Sequence, residues 1–128
     1  MKLLLDTHAF LWFIGGSPRL SSSARTLIEA PENERLISAA SIFEMAIKIG
    51  LGKLTVGQPL EQILAREIDS GAFALLPIEV RHVSVLASLP FHHRDPFDRL
   101  LAAQSLVDGL ALLSVDEAFG AYGVRRLW

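Results

Sequence analysis

Short apolar runs alternate with longer amphipathic stretches along the 128 residues of this chain. The first run, from Lys2 to Leu5, is continuously apolar after its lysine, a pattern typical of a strand buried on both faces of a parallel sheet. We expect this strand to be the centre of the sheet. Similar runs predict strands at residues 35–38, 74–78 and 110–115, with an edge strand at 124–128 and a short extended piece at 54–56.

Helical spacing of apolar residues fills the intervals between these runs, with glycine and proline marking the ends. Gly50, Gly71 and Gly109 each follow such a segment and are predicted to close a helix. Strands that alternate with helices predict an α/β sandwich with a mostly parallel sheet, and no repeat or linker divides residues 1–128 into more than one domain. The predicted helices cover residues 8–14, 21–29, 39–49, 60–70, 79–89, 96–107 and 118–122.

Composition narrows the class of protein. Hydrophobic residues make up 51% of the chain and the mean hydropathy is +0.38, yet no apolar run approaches the roughly 20 residues that span a bilayer. The first segment also lacks the features of a secretory signal. We therefore expect a cytoplasmic, non-membrane protein whose surplus of apolar residues meets a partner. The absence of cysteine excludes a disulfide framework and thiolate chemistry.

The net charge of −2 argues against a protein that binds nucleic acid through a broad basic surface alone. A nucleic-acid substrate would need local arginines and a cation, or a partner chain, to neutralise its phosphates.

Four acidic residues fall after predicted strands or early in the helix that follows: Asp6, Glu44, Asp98 and Asp116. If the sheet is parallel, its carboxyl edge gathers these side chains, and that edge is where open α/β sheets bind ligands. Carboxylates brought this close raise one another's pKa and destabilise the fold unless a cation lies among them. Mg²⁺ or Mn²⁺ suits such oxygen donors, whereas the absence of cysteine and of a nearby histidine pair argues against zinc.

Each acid also has a structural explanation, because helix N-termini favour acidic caps. Asp6 and Asp116 each precede a predicted helix. The segment Ser41–Glu44 matches a capping box, which would leave Glu44 without a catalytic role. Asp95 followed by Pro96 is a typical cap, so we assign the site role to Asp98 and keep Asp95 as the alternate ligand.

The histidines and aromatic residues are less informative. His8, next to Asp6, is the histidine expected to touch substrate, while the others are more typical of surface or partly buried polar positions. Aromatic residues on the first helix are more typical of core or dimer contacts than of stacking platforms for bases. The residues concerned are His82, His92 and His93, and Phe10, Trp12 and Phe13.

Four segments together give the chain a family resemblance. With these segments in this order, the sequence resembles the PIN-domain ribonucleases, and more closely the VapC-type toxins of type II toxin–antitoxin pairs. Each segment alone is weak, but the four span the chain from its first to its last tenth. They are Leu3–His8, Ile37–Glu44, His93–Gln104 and Leu113–Phe119.

The resemblance implies a three-layer α/β/α sandwich around a sheet of four to five strands. It implies an endoribonuclease that depends on Mg²⁺ or Mn²⁺, cleaves RNA phosphodiesters with metal-activated water, and pairs with a cognate antitoxin and a second copy of itself. By position, the acidic quartet named above would bind the metal and carry catalysis. Thr7 and Ser114 match small hydroxyl positions that support the site.

Three further residues are candidates for binding substrate. His8 stands where many relatives have Asn or Ser, so its role is open. Arg94 and Arg99 flank the helix that carries Asp98 and either hold flanking phosphates or are ordinary surface charges.

Two rival functions follow from the same sheet. The first is a Mg²⁺-dependent phosphohydrolase, which usually has a second aspartate two residues after its nucleophile, where this chain has His8. The second is a catalytically silent PIN-like binding module, against which the complete acidic quartet argues.

Overall fold

The computed structural model describes residues 1–128 and contains a single five-stranded sheet in which every pairing is parallel. The strands are β1 (Lys2–Leu5), β2 (Glu34–Ser38), β3 (Ala74–Leu76), β4 (Ala111–Leu113) and β5 (Arg126–Leu127). Their order is β3-β2-β1-β4-β5, so β1 is central, as predicted, and β5 is the expected edge strand.

The helices follow the predicted order with some changes at their ends. They are α1 (Thr7–Ile14), α2 (Ser22–Glu29), α3 (Ala39–Gly50), α4 (Leu60–Leu64), α5 (Val80–Leu86) and α6 (Pro96–Asp108). A π-helical turn, Ala65–Asp69, continues α4, and a 3₁₀ turn, Glu117–Tyr122, follows β4. None of these helices is long and apolar enough to cross a membrane.

The alternation of side chains along β1 separates two apolar layers. Leu3 and Leu5 pack on one face of the sheet with a core that includes Phe10 of α1 and Ile28 of α2. Leu4 points to the opposite face, where it packs in a second core with Leu101 of α6. The expected three-layer α/β/α sandwich is confirmed, and Leu3, Leu4 and Leu5 of β1 are fully buried.

Several predicted boundaries are wrong. Gly50 does not cap α3 but belongs to it, and the left-handed backbone needed to leave the helix is at Gly52, with φ of +72°. Residues 54–56 form no strand. β3 is the edge of the sheet on this side and pairs only with β2. The helix predicted to reach residue 89 ends at Leu86, and the helix over 60–70 changes to π geometry at Ala65.

The topology sets the position of the site. From β1 the chain first moves outward through β2 and β3, and later returns to the other side of β1 to form β4 and β5. The strand order therefore reverses between β1 and β4, where α/β sheets open a crevice at their carboxyl ends. The Asp6 amide, which donates to the Leu113 carbonyl at 3.1 Å, joins the two strands at this point.

Candidate metal centre

Asp6 lies at the carboxyl end of β1 and is only 6% exposed. Its Oδ1 accepts a hydrogen bond from the Ala9 amide at 2.8 Å, so it caps α1. It also lines the cleft outside the sheet, so the capping role leaves it available to the site. Burial raises the pKa of Asp6, and hydrogen bonding from Ser114 and Ala9 offsets part of the increase.

Glu44 does not belong to a capping box. The cap of α3 is Ser38, whose hydroxyl accepts from the Ala40 amide at 3.0 Å, and Glu44 lies in the second turn of the helix. Its carboxylate is buried in the cleft instead. The Thr7 hydroxyl donates to Oε1 at 2.6 Å, and the Lys48 ammonium lies 2.5 Å from Oε2.

Asp95 is the cap of α6, as predicted, whereas Asp98 takes no part in the cap through its side chain. Asp95 Oδ1 accepts from the amides of Phe97 and Asp98, at 2.8 and 3.3 Å, and so caps α6 ahead of Pro96. Asp98, in the first turn, leaves its carboxylate facing the other acids. Both residues line the cleft, but Asp95 has already committed one oxygen to the helix.

Asp116 completes the quartet beyond β4. Its Oδ1 accepts from the Ala118 amide at 3.0 Å, and its Oδ2 lies 3.3 Å from Nε2 of His93. The other ring nitrogen of His93, Nδ1, lies 3.8 Å from Asp98. One ligand atom from each of His93, Asp98 and Asp116 falls within 4.8 Å of the others.

The cleft concentrates negative charge in a small volume of about 120 Å³. Burial is the largest cause that raises the pKa of Asp98 to about 7, and the charges of Asp95, Glu44, Asp6 and Asp116 raise it further. Lys48 is the positive side chain that opposes these acids. Its hydrogen bond to Glu44 raises the pKa of Lys48. The acids that line the cleft are Asp6, Glu44, Asp95, Asp98 and Asp116.

This donor set fits a hard divalent cation. Carboxylate oxygens dominate it, as Mg²⁺ and Mn²⁺ require, and His93 is the histidine grouped with two of the acids. Nε2 of His93 is buried with no hydrogen-bond partner, although an Asp116 oxygen lies close by. A buried nitrogen without a partner and a carboxyl driven towards its protonated form both fit a cluster arranged around a cation.

The chain also matches a known protein family. The model of the PIN domain family matches residues 3–124. The chain belongs to the PIN domain family. No curated protein sequence matches it closely enough to add to this.

Solved structures share the fold of this PIN domain. A structure of VapBC2 from Rickettsia felis, bound to a DNA fragment from its promoter, superimposes with a TM-score of 0.71 at 16% identity, covering 99% of this chain and 98% of that one. FitAcB from Neisseria gonorrhoeae gives 0.68 at 18%, covering 98% and 96%. VapBC-1 from nontypeable Haemophilus influenzae gives 0.67 at 17%, covering 99% and 97%. At these identities the likeness concerns the fold.

The remaining predicted site residues of the PIN domain separate into three groups. Thr7 and Ser114 are buried at the site, next to Glu44 and Asp6 respectively, and His8 lines the cleft. Arg94 is exposed and does not line the cleft.

Arg99 lies away from the acids, and its guanidinium has a structural task. It donates to the Leu89 carbonyl at 2.8 Å and lies 4.0 Å over the Phe91 ring. It therefore holds the loop between α5 and α6 rather than a phosphate, so the prediction that it binds substrate is not supported by its position.

Two residues that lie beside the acids, Lys48 and His93, were not predicted from the sequence to belong to the site. Lys48 follows Glu44 by four residues on a helix, a spacing that brings opposite charges together and could have revealed it. His93 reaches the acids because its ring packs on Phe119, at 4.9 Å between centroids, and its amide donates to the Tyr122 hydroxyl. No local sequence signal specifies that contact, since 29 positions separate His93 from Tyr122.

Proposed function

We propose that this PIN domain is a Mg²⁺- or Mn²⁺-dependent endoribonuclease. The observation that carries the proposal is the convergence of Asp6, Glu44, Asp98 and Asp116, from four distant parts of the chain, on one small cleft. Burial first, and then the charges of the neighbouring acids, raise the pKa of Asp98 to about 7. Groups whose pKa is shifted in this way cluster at functional sites.

The four carboxylates would hold the cation, and their neighbours would orient them. The Thr7 hydroxyl fixes one oxygen of Glu44, and Lys48 neutralises the other. Ser114 and the Ala9 amide position Asp6. Asp95 stabilises the first turn of α6 and so fixes the direction of Asp98.

A bound divalent ion supplies a Lewis acid for the phosphate and lowers the pKa of water at the site. Carboxylates alone would repel the phosphodiester, so the acids would act on it only by holding the cation in a fixed position. Attack by water in line with the leaving 3′ oxygen would give 5′-phosphate and 3′-hydroxyl ends. The 2′-hydroxyl of the RNA takes no part.

The test is incubation with total cellular RNA, with Mg²⁺ or with EDTA, followed by sequencing of the cleaved ends. We expect internal cleavage with Mg²⁺ only, and 5′-phosphates at the new ends. An RNA with a single 2′-deoxynucleotide at the scissile position should still be cut. Cleavage in EDTA, 2′,3′-cyclic ends or failure to cut at the deoxy position would contradict the proposal.

The phosphohydrolase alternative gains no support from the site. Asp6 is buried, one of its oxygens is committed to the Ala9 amide, and the residue two positions on is the exposed His8. An aspartyl-phosphate nucleophile needs a free oxygen and an acid to protonate the leaving group. A trapped acyl phosphate on Asp6 would overturn this judgement.

We further propose that the protein is the toxin of a toxin–antitoxin pair and acts in the cytoplasm. The support is the fold likeness to chains of VapBC and FitAB structures, one of them bound to a promoter fragment and another to the DNA fragment IR36. Expression of the chain should arrest growth, and co-expression of a small DNA-binding protein encoded beside it should restore growth. Arrest by Asp98→Asn as strong as that of the wild type would count against a catalytic toxin.

A second copy of the chain is the expected partner of the exposed face of α3. Phe43, Ile47 and Leu51, four residues apart, are 61%, 38% and 64% exposed and form an apolar stripe. Phe97 extends the stripe through an edge-on contact with Phe43 at 5.9 Å between ring centroids. Sedimentation should give a dimer for the wild type and a monomer for Leu51→Lys, whereas an unchanged dimer would exclude this face.

A further inference from the structure

A second cleft lies beside the acidic one, between α1, the loop 51–59 and the segment from Ile63 to Arg66. Its volume of about 470 Å³ is within the range of small-molecule sites. His8 is the residue that lines both clefts, so a ligand in one is separated from the other by a single side chain. The two clefts therefore meet at His8, near the carboxyl end of β1.

The charges in the second cleft are opposite to those of the acidic one. Arg19 and Arg66 line it, and no acidic side chain does. Arg66 is held in place, since its Nε donates to Glu67 at 3.0 Å and an Nη donates to Gln58 at 3.3 Å. A ligand at this position would meet the exposed Arg19 and, beside the Gln58 amide, the half-exposed Arg66, whose charge Glu67 partly offsets.

Aromatic rings provide the floor between these charges. The Trp12 indole lies 5.6 Å from the His8 ring, with 32° between their planes. The Arg19 guanidinium stands 6.0 Å over the same indole. An aromatic plane next to an arginine is the combination that binds single-stranded nucleic acid, by stacking the base and neutralising its phosphate. Trp12 packs against the core and Trp128, as the sequence pattern predicted, and it also lines the second cleft.

We propose that this second cleft binds the nucleotide next to the scissile phosphodiester, with its base against Trp12 and its phosphate near Arg19 and Arg66. The inference rests on the proposed ribonuclease function and adds to it a substrate subsite. It also identifies the local arginines that a chain of net charge −2 needs to hold a polyanion. Arg99 cannot fill that role, because its guanidinium is occupied by the α5–α6 loop.

A protein segment is the competing occupant, since half of the lining is apolar. Two observations favour a nucleotide. The cleft adjoins the proposed site of phosphodiester cleavage at His8, and its positive charge complements a phosphate that follows the one in the acidic cleft. An acidic peptide would also meet the arginines, but only a nucleic acid would at the same time present a phosphodiester to a cation held by the acidic cleft.

The experiment measures binding of a short fluorescent single-stranded RNA, with Mg²⁺ present, by anisotropy. Asp98→Asn serves as the common background so that the RNA stays intact. Arg19→Ala with Arg66→Ala should weaken binding at least tenfold. Arg125→Ala, an exposed arginine at the opposite edge of the sheet, is the matched control and should leave binding within twofold.

Salt dependence gives a second readout. Removal of each arginine that neutralises a phosphate should lower the slope of log Kd against log salt by about 0.7 on single-stranded RNA. With the active protein, the double arginine variant should raise KM while leaving the single-turnover rate at saturating RNA unchanged. The Arg125→Ala control should change neither quantity.

Stacking is tested on the same background with two further changes. Trp12→Leu should weaken binding of intact RNA. An RNA with one abasic position next to the scissile bond has no base to stack there, so it should bind with equal affinity whether residue 12 is Trp or Leu. Trp12→Phe, which keeps an aromatic ring, should retain most of the affinity and controls for altered packing around α1.

The outcomes separate this inference from the ribonuclease proposal. If the wild type cleaves RNA and the arginine pair can be removed without a change in Kd, salt slope or KM, the subsite is overturned and the ribonuclease stands. If those variants lose only the binding of a protein partner, the cleft belongs to that partner and the subsite is likewise overturned. If the wild type neither binds nor cleaves RNA with Mg²⁺, the ribonuclease proposal fails first.

Discussion

The two ends of α6 each bring a histidine to an aspartate, with opposite results. At the carboxyl end, Nε2 of the fully buried His82 lies 2.9 Å from Asp108, and the other ring nitrogen accepts from the Glu79 amide at 3.0 Å. Since Nδ1 accepts, Nε2 carries the proton and donates to Asp108. Arg81, 3.1 Å from the same carboxylate, balances its charge.

The amino end lacks this balance. His93 lies near Asp98 and Asp116, and three further acids share the cleft. Lys48 is the lysine that offsets them, and one nitrogen of His93 has no hydrogen-bond partner.

The contrast between the two ends separates a structural ion pair from a site. Histidine and aspartate occur at both ends of one helix, so residue type does not decide between them. At the Asp108 end each group has a partner, which fixes α5 against α6 and leaves nothing to bind. At the Asp98 end the carboxylates outnumber their partners, and an added cation would stabilise such a cluster.

The strongest effect should come from exchanging each aspartate for asparagine. Asp98→Asn should reduce RNA cleavage by at least about 100-fold, because it removes a proposed metal ligand, while metal-free stability stays equal or rises as repulsion falls. Asp108→Asn should keep cleavage but lower the free energy of unfolding by about 1–3 kcal/mol, as the bonds to His82 and Arg81 weaken. Cleavage assays and urea denaturation in EDTA measure the two quantities.

Equal reduction of activity in both variants would show that the ends of α6 are not functionally distinct. A stable Asp108→Asn protein together with an unstable Asp98→Asn protein would reverse the assignment.

The pH dependence of stability should differ between the wild type and Asp98→Asn. The folded protein raises the pKa of Asp98 from 3.8 to about 7, so the folded state holds a proton that the unfolded state releases over this interval. Stability of the metal-free wild type should therefore fall as the pH rises from about 4 to about 7, and the penalty should be constant above that.

Thermal unfolding in EDTA across this range checks the sign. The wild-type melting temperature should fall more steeply with pH than that of Asp98→Asn, and Mg²⁺ should stabilise the wild type more above pH 7 than below pH 5, where Asp98 is protonated. Parallel curves for the two proteins would mean that Asp98 is not crowded in solution.

The fold and the acidic quartet could be predicted because their signals are local or periodic. The run at Leu3–Leu5 predicts a central buried strand, and the rule that parallel strands present their carboxyl ends together then places Asp6 and Asp116 at one edge. The pair Asp95 and Pro96 marks the start of α6 and separates the cap from Asp98.

What could not be predicted depends on distant packing. The residues Ser41 and Glu44 have the spacing of a capping box, but they lie inside α3. The helix begins at Ala39, about one turn before the start that a cap at Ser41 would give. His93 and Arg99 have their positions set by a loop that folds on Tyr122 and Phe91, and the composition of that loop does not specify this contact. The second cleft likewise exists only once α1 meets the loop 51–59.

A subtler test of the amino end of α6 concerns Asp95. Asparagine keeps the oxygen that accepts from the Phe97 and Asp98 amides, so Asp95→Asn should change stability by a few tenths of a kcal/mol, whereas Asp95→Ala should cost about 0.5–2 kcal/mol. Because the charge of Asp95 helps to raise the pKa of Asp98, Asp95→Asn should shift that titration towards acid.

Cleavage by Asp95→Asn then decides which acid holds the metal. If Asp95 is only the cap of α6, its asparagine variant should retain activity within about tenfold, since a merely supporting residue alters activity less than a ligand does. If Asp95→Asn is as inactive as Asp98→Asn while remaining equally stable, Asp95 is a ligand as well as a cap. The metal would then be held by five carboxylates rather than four. Asp98 would no longer be distinguished from Asp95 as the ligand at this end of α6.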